Sequence, residues 1–358
     1  MQNFKEVLAG IKPLDQKAMA EASTRMDNLI KPIGSLGRLE DIAIQLAGIT
    51  GRIKNKIEKK CTVVMSADNG VMDEGVSAAP QVVTLIQTEN MFKGICGINV
   101  LSEANNADIR VVDIGINGDI HCPGLISRKI RKGTSNMAKG PAMSRDEAIK
   151  AIETGIEVVK NLVDEGYNLF GTGEMGIGNT STSSAMLMCF TGCSAEVAVG
   201  KGAGLTEEDF NKKKRIIAQA LKVNSPDPQD PIDVLAKVGG FDIAGLVGCF
   251  LAAAYYRVPI VIDGFISGIA ALTAYKLNPL VKGYLIPSHA SAEPGYDYMI
   301  KAIGLEPILL LKMRLGEGSG CPLAFNVIEG ALAIMNNMAT FEEGAISSET
   351  LVDIREEE

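Results

Sequence analysis

The sequence predicts an α/β chain: an open, mostly parallel sheet with helices on both faces, plus a small helical lobe built from the two chain ends. Three observations carry this. Apolar runs of strand length recur, and most end in glycine or polar clusters. Each run is apolar at successive positions rather than at alternate ones, as in strands covered on both faces. Helix-like stretches separate the runs, which is the β–α–β alternation of a parallel sheet.

In chain order, DQKAMAEASTRMDNLIK and LGRLEDIAIQLAGIT read as two amphipathic helices ahead of the first strand. Strand runs follow at CTVVMSADNG from Cys61 and IRVVDIGING from Ile109. SRDEAIKAIETGIEVVKNLVDEG from Ser144 reads as a helix, and YNLFGTGEMG from Tyr167 as the next strand. PIVIDGFISG from Pro259, VKGYLIPSHAS from Val281 and PILLLKMRLGEGSG from Pro307 read as three more, and CPLAFNVIEGALAIMNNM as a closing helix. Residues 1–58 with 320–358 are expected to form the helical lobe and 59–319 the large domain. The acidic end Glu356–Glu358 is expected to fray.

The totals exclude several classes. With 358 residues and 46% apolar content the chain can bury a large core. Net charge is −8, and no basic block interleaves with aromatics, so nucleic acid is not expected as a partner. No apolar run approaches the roughly 20 residues of a membrane span, and MQNFKEVLAGIKPLDQK lacks the apolar centre of a secretory signal. A soluble cytoplasmic protein is expected. The seven cysteines are scattered, with no Cys-x-x-Cys pair, which suits reduced thiols. The two histidines, His121 and His289, lie far apart, and His121–Cys122 has no visible second half of a metal site. No metal and no cofactor is expected.

In open α/β sheets ligands sit outside the carboxyl ends of the strands. Those ends carry Asp68, Asn69, Asp113, Glu174, Asp263, Ser288, His289, Ser291, Glu293 and Glu317. Asp263 and Ser291 read equally well as helix caps. The densest signal is FGTGEMGIGNTSTSSAM, Phe170 to Met186. Its Gly171-x-Gly173-x-x-Gly176 matches the dinucleotide fingerprint, but no convincing strand ends in the required downstream acid. Its Gly173-x-x-x-x-Gly178-Asn179-Thr180 nearly matches the triphosphate loop, with Asn179 where that loop needs lysine. What remains is a turn, Gly176, Ile177, Gly178, opening a helix at Asn179 and Thr180. Backbone N–H groups at a helix start suit a single phosphate; the bland alternative is a tight turn with a hydroxyl cap. In VGKGAGLTEEDFNKKKR, Lys201, Gly202 and Gly204 are candidates to complete the pocket. Of Lys212, Lys213 and Lys214, one is expected to point inward and the others to form a solvated face.

FGTGEMGIGNTSTSSA, VGKGAGL, VIDGFISGIAAL, SHASAEPGY and LGEGSG, with IKPIGSLGRLEDIA and GVSAAPQVVT, together resemble the nicotinate-nucleotide–dimethylbenzimidazole phosphoribosyltransferase family. The motifs run in the family's order from about Asp27 to about Ala333. The resemblance implies a homodimer with a Rossmann-like large domain. It implies transfer of the 5-phosphoribosyl group from nicotinate mononucleotide to a benzimidazole nitrogen, with inversion at the sugar carbon. It also implies that Glu317 is the general base, between Leu315–Gly316 and the glycines that follow, and that Asp263 and Ser291 lie near the nucleotide. Glu174 would orient the ribose or balance the pyridinium charge. The common phosphoribosyltransferase strand ending in two adjacent acids does not occur here. A pyridinium leaving group departs as a neutral ring, so no metal-bound pyrophosphate is required.

Read as residues alone, Glu317 also suits a helix cap after Gly316, or a base beside Met313 and Leu315 shielded by them. In GVSAAPQVVTLIQTENMF, Ser77, Gln81, Ile86 and Gln87 are all candidates for the aromatic-base pocket. The acceptor stays open among dimethylbenzimidazole, another benzimidazole, adenine and a phenol. The apolar face of the terminal helices supplies a second argument for a homodimer. Two other readings stand beside this one: a dinucleotide-dependent oxidoreductase, and a nucleotide-sensing protein without catalysis.

Overall fold

The computed structural model describes residues 3–202, 204–347 and 352–357; Glu358, the last residue of the acidic end, lies outside them. Among the described residues one sheet of six strands is formed: β1 Lys60–Ala67, β2 Asp108–Gly115, β3 Ile126–Ser127, β4 Leu169–Met175, β5 Ile260–Ile262 and β6 Leu285–Pro287. Their spatial order is β3-β2-β1-β4-β5-β6, with every neighbouring pair parallel. The order reverses between β1 and β4. Crossovers leave on opposite sides of that pair, which opens a crevice at its carboxyl edge.

β1 and β4 are buried at every position, as continuous apolar runs require. Alternate side chains of β1 serve two layers. Met65 meets Gly245 of the helix Phe241–Tyr256. On the other side Val64 packs with Met91 and Ile98, from the helices Val83–Phe92 and Gly97–Ala104. The helix Phe241–Tyr256 is buried through Ala254 because the helix Arg145–Asp164 covers it in turn.

The helices Gln16–Asp27, Arg38–Thr50 and Cys321–Asn337 pack together, and Arg25 Nε ties the first to the last through the Met335 carbonyl at 2.9 Å. The helix Phe4–Gly10 instead lies against Phe241–Tyr256 and Arg145–Asp164. A single hydrophobic cluster runs from Met26 and Leu46 through to Phe250.

One expected strand is absent. PILLLKMRLGEGSG makes only an isolated bridge, Leu309 with His289. Leu310 is 81% exposed, and Leu311 and Leu315 are also exposed. Ile308 N and Leu309 N donate to the Pro287 and Ser288 carbonyls at 3.2 and 2.9 Å, so the run starts along the edge of β6 and then crosses the surface without extending the ladder. The sixth strand is the short Ile126–Ser127, which has too few residues to leave a periodic signal.

The crossing of Arg145–Asp164 with Phe241–Tyr256 is a backbone contact. A Cβ on Gly155 would collide with the Gly245 carbonyl oxygen, and one on Gly248 with the Ile152 carbonyl oxygen. Gly155→Ala is expected to lower unfolding stability by about 1–3 kcal/mol through overpacking. At Gly330, inside Cys321–Asn337, a Cβ meets nothing within 4 Å. Gly330→Ala should therefore raise stability by about 0.5–1 kcal/mol, the helix preference for alanine. Urea midpoints at unchanged slope give both values; equal midpoints for the two variants would contradict the packing described.

Candidate active site

Two glycine-bearing segments meet at the carboxyl edge of the sheet. Gly171 and Gly173 are inside β4, not in the turn after it. They share one face of the strand, and that face receives another part of the chain. A Cβ on Gly171 would lie 2.5 Å from Cys321 Cβ, and one on Gly173 would strike the Glu317 carbonyl oxygen. These glycines are spaced for packing, which removes the dinucleotide fingerprint and the triphosphate loop as readings of this stretch.

The segment they admit is unusual. Gly316, Glu317 and Gly318 all have positive φ, at 86°, 63° and 89°. For glutamate this conformation carries a steric cost, and it persists only where the surroundings enforce it. Asp263, at the end of β5, supplies the enforcement: its carboxylate accepts from Gly318 N at 3.1 Å and Gly320 N at 2.7 Å. It is fully buried and pins the loop, so it is not a helix cap.

Glu317 is 5% exposed. Its Oε1 accepts from Gln87 Nε2 at 2.7 Å, and its Oε2 from Ile98 N at 3.2 Å in the first turn of Gly97–Ala104. An amide, a main-chain donor and the positive end of a helix dipole thus hold the carboxylate. Leu315 lies beside it, since a Cβ on Gly97 would be 2.6 Å from Leu315 Cδ2 and 3.3 Å from Glu317 Oε2, while Leu315 itself is 60% exposed. Leu315 and Gly316 still line the cavity.

Beside Glu317 lie further acids. Glu174 Oε2 accepts from Asn179 Nδ2, which also donates to Asp242 Oδ2 at 2.9 Å. Burial, then the neighbouring charge of Asp242, pushes Glu174 up to about 8. Burial lifts Asp242 to about 6, and Asp263 to about 7 against the pull of its two N–H donors. Burial lowers His289 to about 4.

A lysine backs the helix start that Asn179 opens. The helix Asn179–Thr191 starts after Gly178, whose φ is 96°. Gly176, Ile177, Gly178, Asn179, Thr180 and Gly202 line the cavity there. Lys213 is 1% exposed, and its Nζ donates to Thr180 Oγ1 at 2.8 Å and to the Gly200 carbonyl at 3.1 Å. Burial lowers its pKa to about 8, opposed by the charge of Glu293. Lys214 lies instead over the Phe210 ring at 4.4 Å. Lys201 points away and pairs with Glu207. Gly204 is also outside the cavity wall, because the chain turns back at positive φ there.

The cavity holds about 330 Å³, with Phe265, Ser267, His289, Ser291, Glu293 and Arg314 also in its wall. Of the base-pocket candidates, Ser77 and Gln87 line it. Gln81 is turned toward Asn117 at 3.3 Å, and Ile86 is exposed. Sequence reasoning missed Asp242 and Arg314. A lone acid opening the otherwise apolar helix FDIAGLVGCFLAAAYY was the available signal for Asp242; Arg314 sits in the run whose composition suggests a strand.

A family model described as "Phosphoribosyltransferase" matches residues 11–346. The chain is 58% identical over 357 residues to the nicotinate-nucleotide–dimethylbenzimidazole phosphoribosyltransferase of Clostridium tetani (strain Massachusetts / E88), covering 99% of each chain. It is 55% identical over 353 residues to the protein of that name from Clostridium perfringens (strain ATCC 13124), covering 99% of this chain and 98% of the other. A crystal structure of the enzyme of that name from Thermus thermophilus superposes with a TM-score of 0.88 at 38% identity, covering 93% of this chain and 99% of that one.

The raised carboxylates predict a pH dependence of stability. The folded protein keeps a proton on Glu174 up to about pH 8, while the unfolded chain releases it near 4.5, the ordinary glutamate value. The folded state therefore binds more protons in that window, and stability is lost as pH rises through it. In thermal unfolding without ligand, the stability of wild type relative to Glu174→Gln should fall steadily between those two pH values. A constant difference would show that Glu174 is not protonated in the folded state.

Proposed function

The chain belongs to the phosphoribosyltransferase family of these relatives, and from that premise we propose its reaction. It transfers the 5-phosphoribosyl group of nicotinate mononucleotide to 5,6-dimethylbenzimidazole or a related base, giving α-ribazole 5′-phosphate and nicotinate, a step of cobalamin nucleotide-loop assembly. The observation that carries the assignment is the make-up of the cavity. One cavity brings together a hydrogen-bonded carboxylate, Glu317, and a helix start backed by a buried lysine.

In this reading the 5′-phosphate sits at Gly176–Thr180 and Gly202, with Lys213 behind Thr180. Phosphate binding favours the charged lysine, which offsets the cost of its burial. The pyridinium ring lies toward Glu174 and Asp263. A cation there favours their ionised forms, so donor binding draws protons off the acids and strengthens the attraction. The nicotinate ring leaves neutral as the benzimidazole nitrogen attacks the sugar carbon from the opposite face. The attacking ring becomes cationic, its second N–H becomes acidic, and Glu317 takes that proton. Gln87 and Ile98 N hold the carboxylate in place. Ser77 and Gln87 supply the polar side of the base pocket, and Ser291 stands near the nucleotide.

We also propose a homodimer in the cytoplasm. No helix among the described residues is long and apolar enough to cross a membrane. Gln16–Asp27 and Arg38–Thr50, the terminal helices expected to make the contact, carry no large exposed apolar side chain. Ile86, Ile95, Val100, Leu310, Leu311 and Leu315 are exposed, on the two helices that hold Glu317, the turn between them and its own loop. A second copy of this chain covering these residues accounts for apolar surface that a monomer rarely leaves open.

Glu317→Gln keeps the shape and cannot take a proton; kcat should fall roughly 10²–10⁴-fold, with donor KM little changed. A near wild-type rate with the fold intact would return Glu317 to a structural role. Nicotinate riboside should be a much poorer donor than its monophosphate, since each charge-assisted bond to phosphate contributes about 1.5–3 kcal/mol. Equal kcat/KM for the two would move the phosphate elsewhere. Light scattering should give twice the 37.9 kDa chain mass; Leu310→Asp with Leu311→Asp should shift it to the monomer. A wild-type monomer at all concentrations would end the dimer claim.

A further inference from the structure

His289 is 2% exposed and lines the cavity, yet the transfer outlined above gives it no task. Its backbone is fixed from both sides, since Leu309 N donates to the Ser288 carbonyl and Ala290 N to the Leu309 carbonyl, each at 2.9 Å. The ring is oriented by one neighbour. Ser288 Oγ lies 2.9 Å from His289 Nδ1 and 2.8 Å from the Asp263 carbonyl oxygen.

These two contacts decide the tautomer. A carbonyl oxygen only accepts, so the single hydroxyl proton of Ser288 goes to Asp263. The serine oxygen must then accept from His289, and Nδ1 carries the proton. A neutral imidazole has one N–H, so Nε2 is left with its lone pair. Burial favours the neutral ring and pushes its pKa down to about 4. The Asp263 carboxylate does not turn the ring into an ion pair, because its oxygens are occupied by Gly318 N and Gly320 N, and Oδ1 lies 3.9 Å from Nδ1.

The Nε2 edge lies beside Gly264, which lines the cavity with Ser291. A Cβ on Gly264 would lie 3.6 Å from Nε2 and 3.6 Å from Ser291 Oγ. Nε2 is therefore a pre-oriented acceptor with no hydrogen-bond partner among the described residues. A lone pair repels a phosphate or a carboxylate and attracts an O–H. Of the donor's groups, the ribose hydroxyls are the neutral hydrogen-bond donors.

We propose that His289 is a specificity-determining residue: Nε2 accepts a hydrogen bond from a ribose hydroxyl of the nucleotide donor and so selects ribosyl over deoxyribosyl donors. This rests on the transfer reading above. Ser288 is a positioning residue that holds the ring in the accepting tautomer. A donor lacking the hydroxyl leaves that nitrogen unpaired, which costs more than the bond alone contributes.

The test compares nicotinate mononucleotide with its 2′-deoxy and 3′-deoxy analogues, by nicotinate release in the presence of dimethylbenzimidazole. Wild type should disfavour one analogue by roughly 10–100-fold in kcat/KM. His289→Asn keeps a donor near Nδ1 and removes the Nε2 acceptor; the gap for that analogue should shrink toward unity through loss on the ribosyl donor. His289→Gln puts an amide oxygen near the Nε2 position and should recover part of the gap. Unchanged discrimination in His289→Asn, or a wild type that treats the three donors alike, overturns the proposal. No nicotinate release from the parent donor overturns the transfer reading itself, so the two failures are distinct. A second measurement needs no variant of His289. The chain has two histidines, so ¹⁵N-histidine NMR of wild type, assigned with His121→Asn, reads the tautomer at neutral pH. Protonated Nδ1 with bare Nε2 supports the proposal; a proton on Nε2 overturns it.

Discussion

The site depends on one close approach: the backbone of Gly316–Glu317–Gly318 laid directly on β4. Gly173 has no side chain because the Glu317 carbonyl occupies that space, and Gly318 has none because a Cβ would meet Thr62 Cγ2 at 2.5 Å. Glycines that resemble a phosphate loop in sequence therefore do two jobs. Those inside β4 admit the loop that carries Glu317, and those after it form the turn into the helix at Asn179. Asp263 closes the arrangement by binding two N–H groups of the same loop. Glutamate in a left-handed conformation is costly alone, and here three glycines and one buried carboxylate determine it.

A second consequence is electrostatic. Bringing the ends of β4 and β5 together with the 316–320 loop crowds Glu174, Asp242, Asp263 and Glu317 into one low-dielectric region. Neither Arg314 of the cavity wall nor Lys213 behind Thr180 is hydrogen-bonded to them. Such a region is poorly satisfied when empty, so Glu174, Asp242 and Asp263 shift toward their neutral forms. In the proposed reading, the pyridinium of the donor would offset the acids and its phosphate would face the helix start before Lys213. Burial of the donor would then improve the electrostatics of the protein.

The apolar run at Pro307 carries a related lesson. Its residues have strand composition, yet Leu310 and Leu311 face outward. Composition reports that these side chains avoid water, not which surface covers them. In the proposed dimer that surface belongs to a second copy, and the same loop then joins the interface to Glu317 within a few residues.

The sequence by itself determined the fold class and the region of the site. Continuous apolar runs at Cys61, Ile109, Tyr167, Pro259 and Val281 are buried parallel strands, because no other element hides both faces of so short a segment. Glycines and acids at the carboxyl ends of those runs mark the crevice, and seven motifs in order identify the family. Tertiary structure alone decided which residues face one another. Lys213 rather than Lys201 turns inward, Gln87 rather than Gln81 meets the cavity, and Asp242 joins Glu174 from 68 residues away through the amide of Asn179. The reason is physical. Periodicity and composition encode which side chains must leave water, a property of each segment alone. Partnership between polar groups is fixed by the crossing of separate segments, and burial then sets which of them keep their charge.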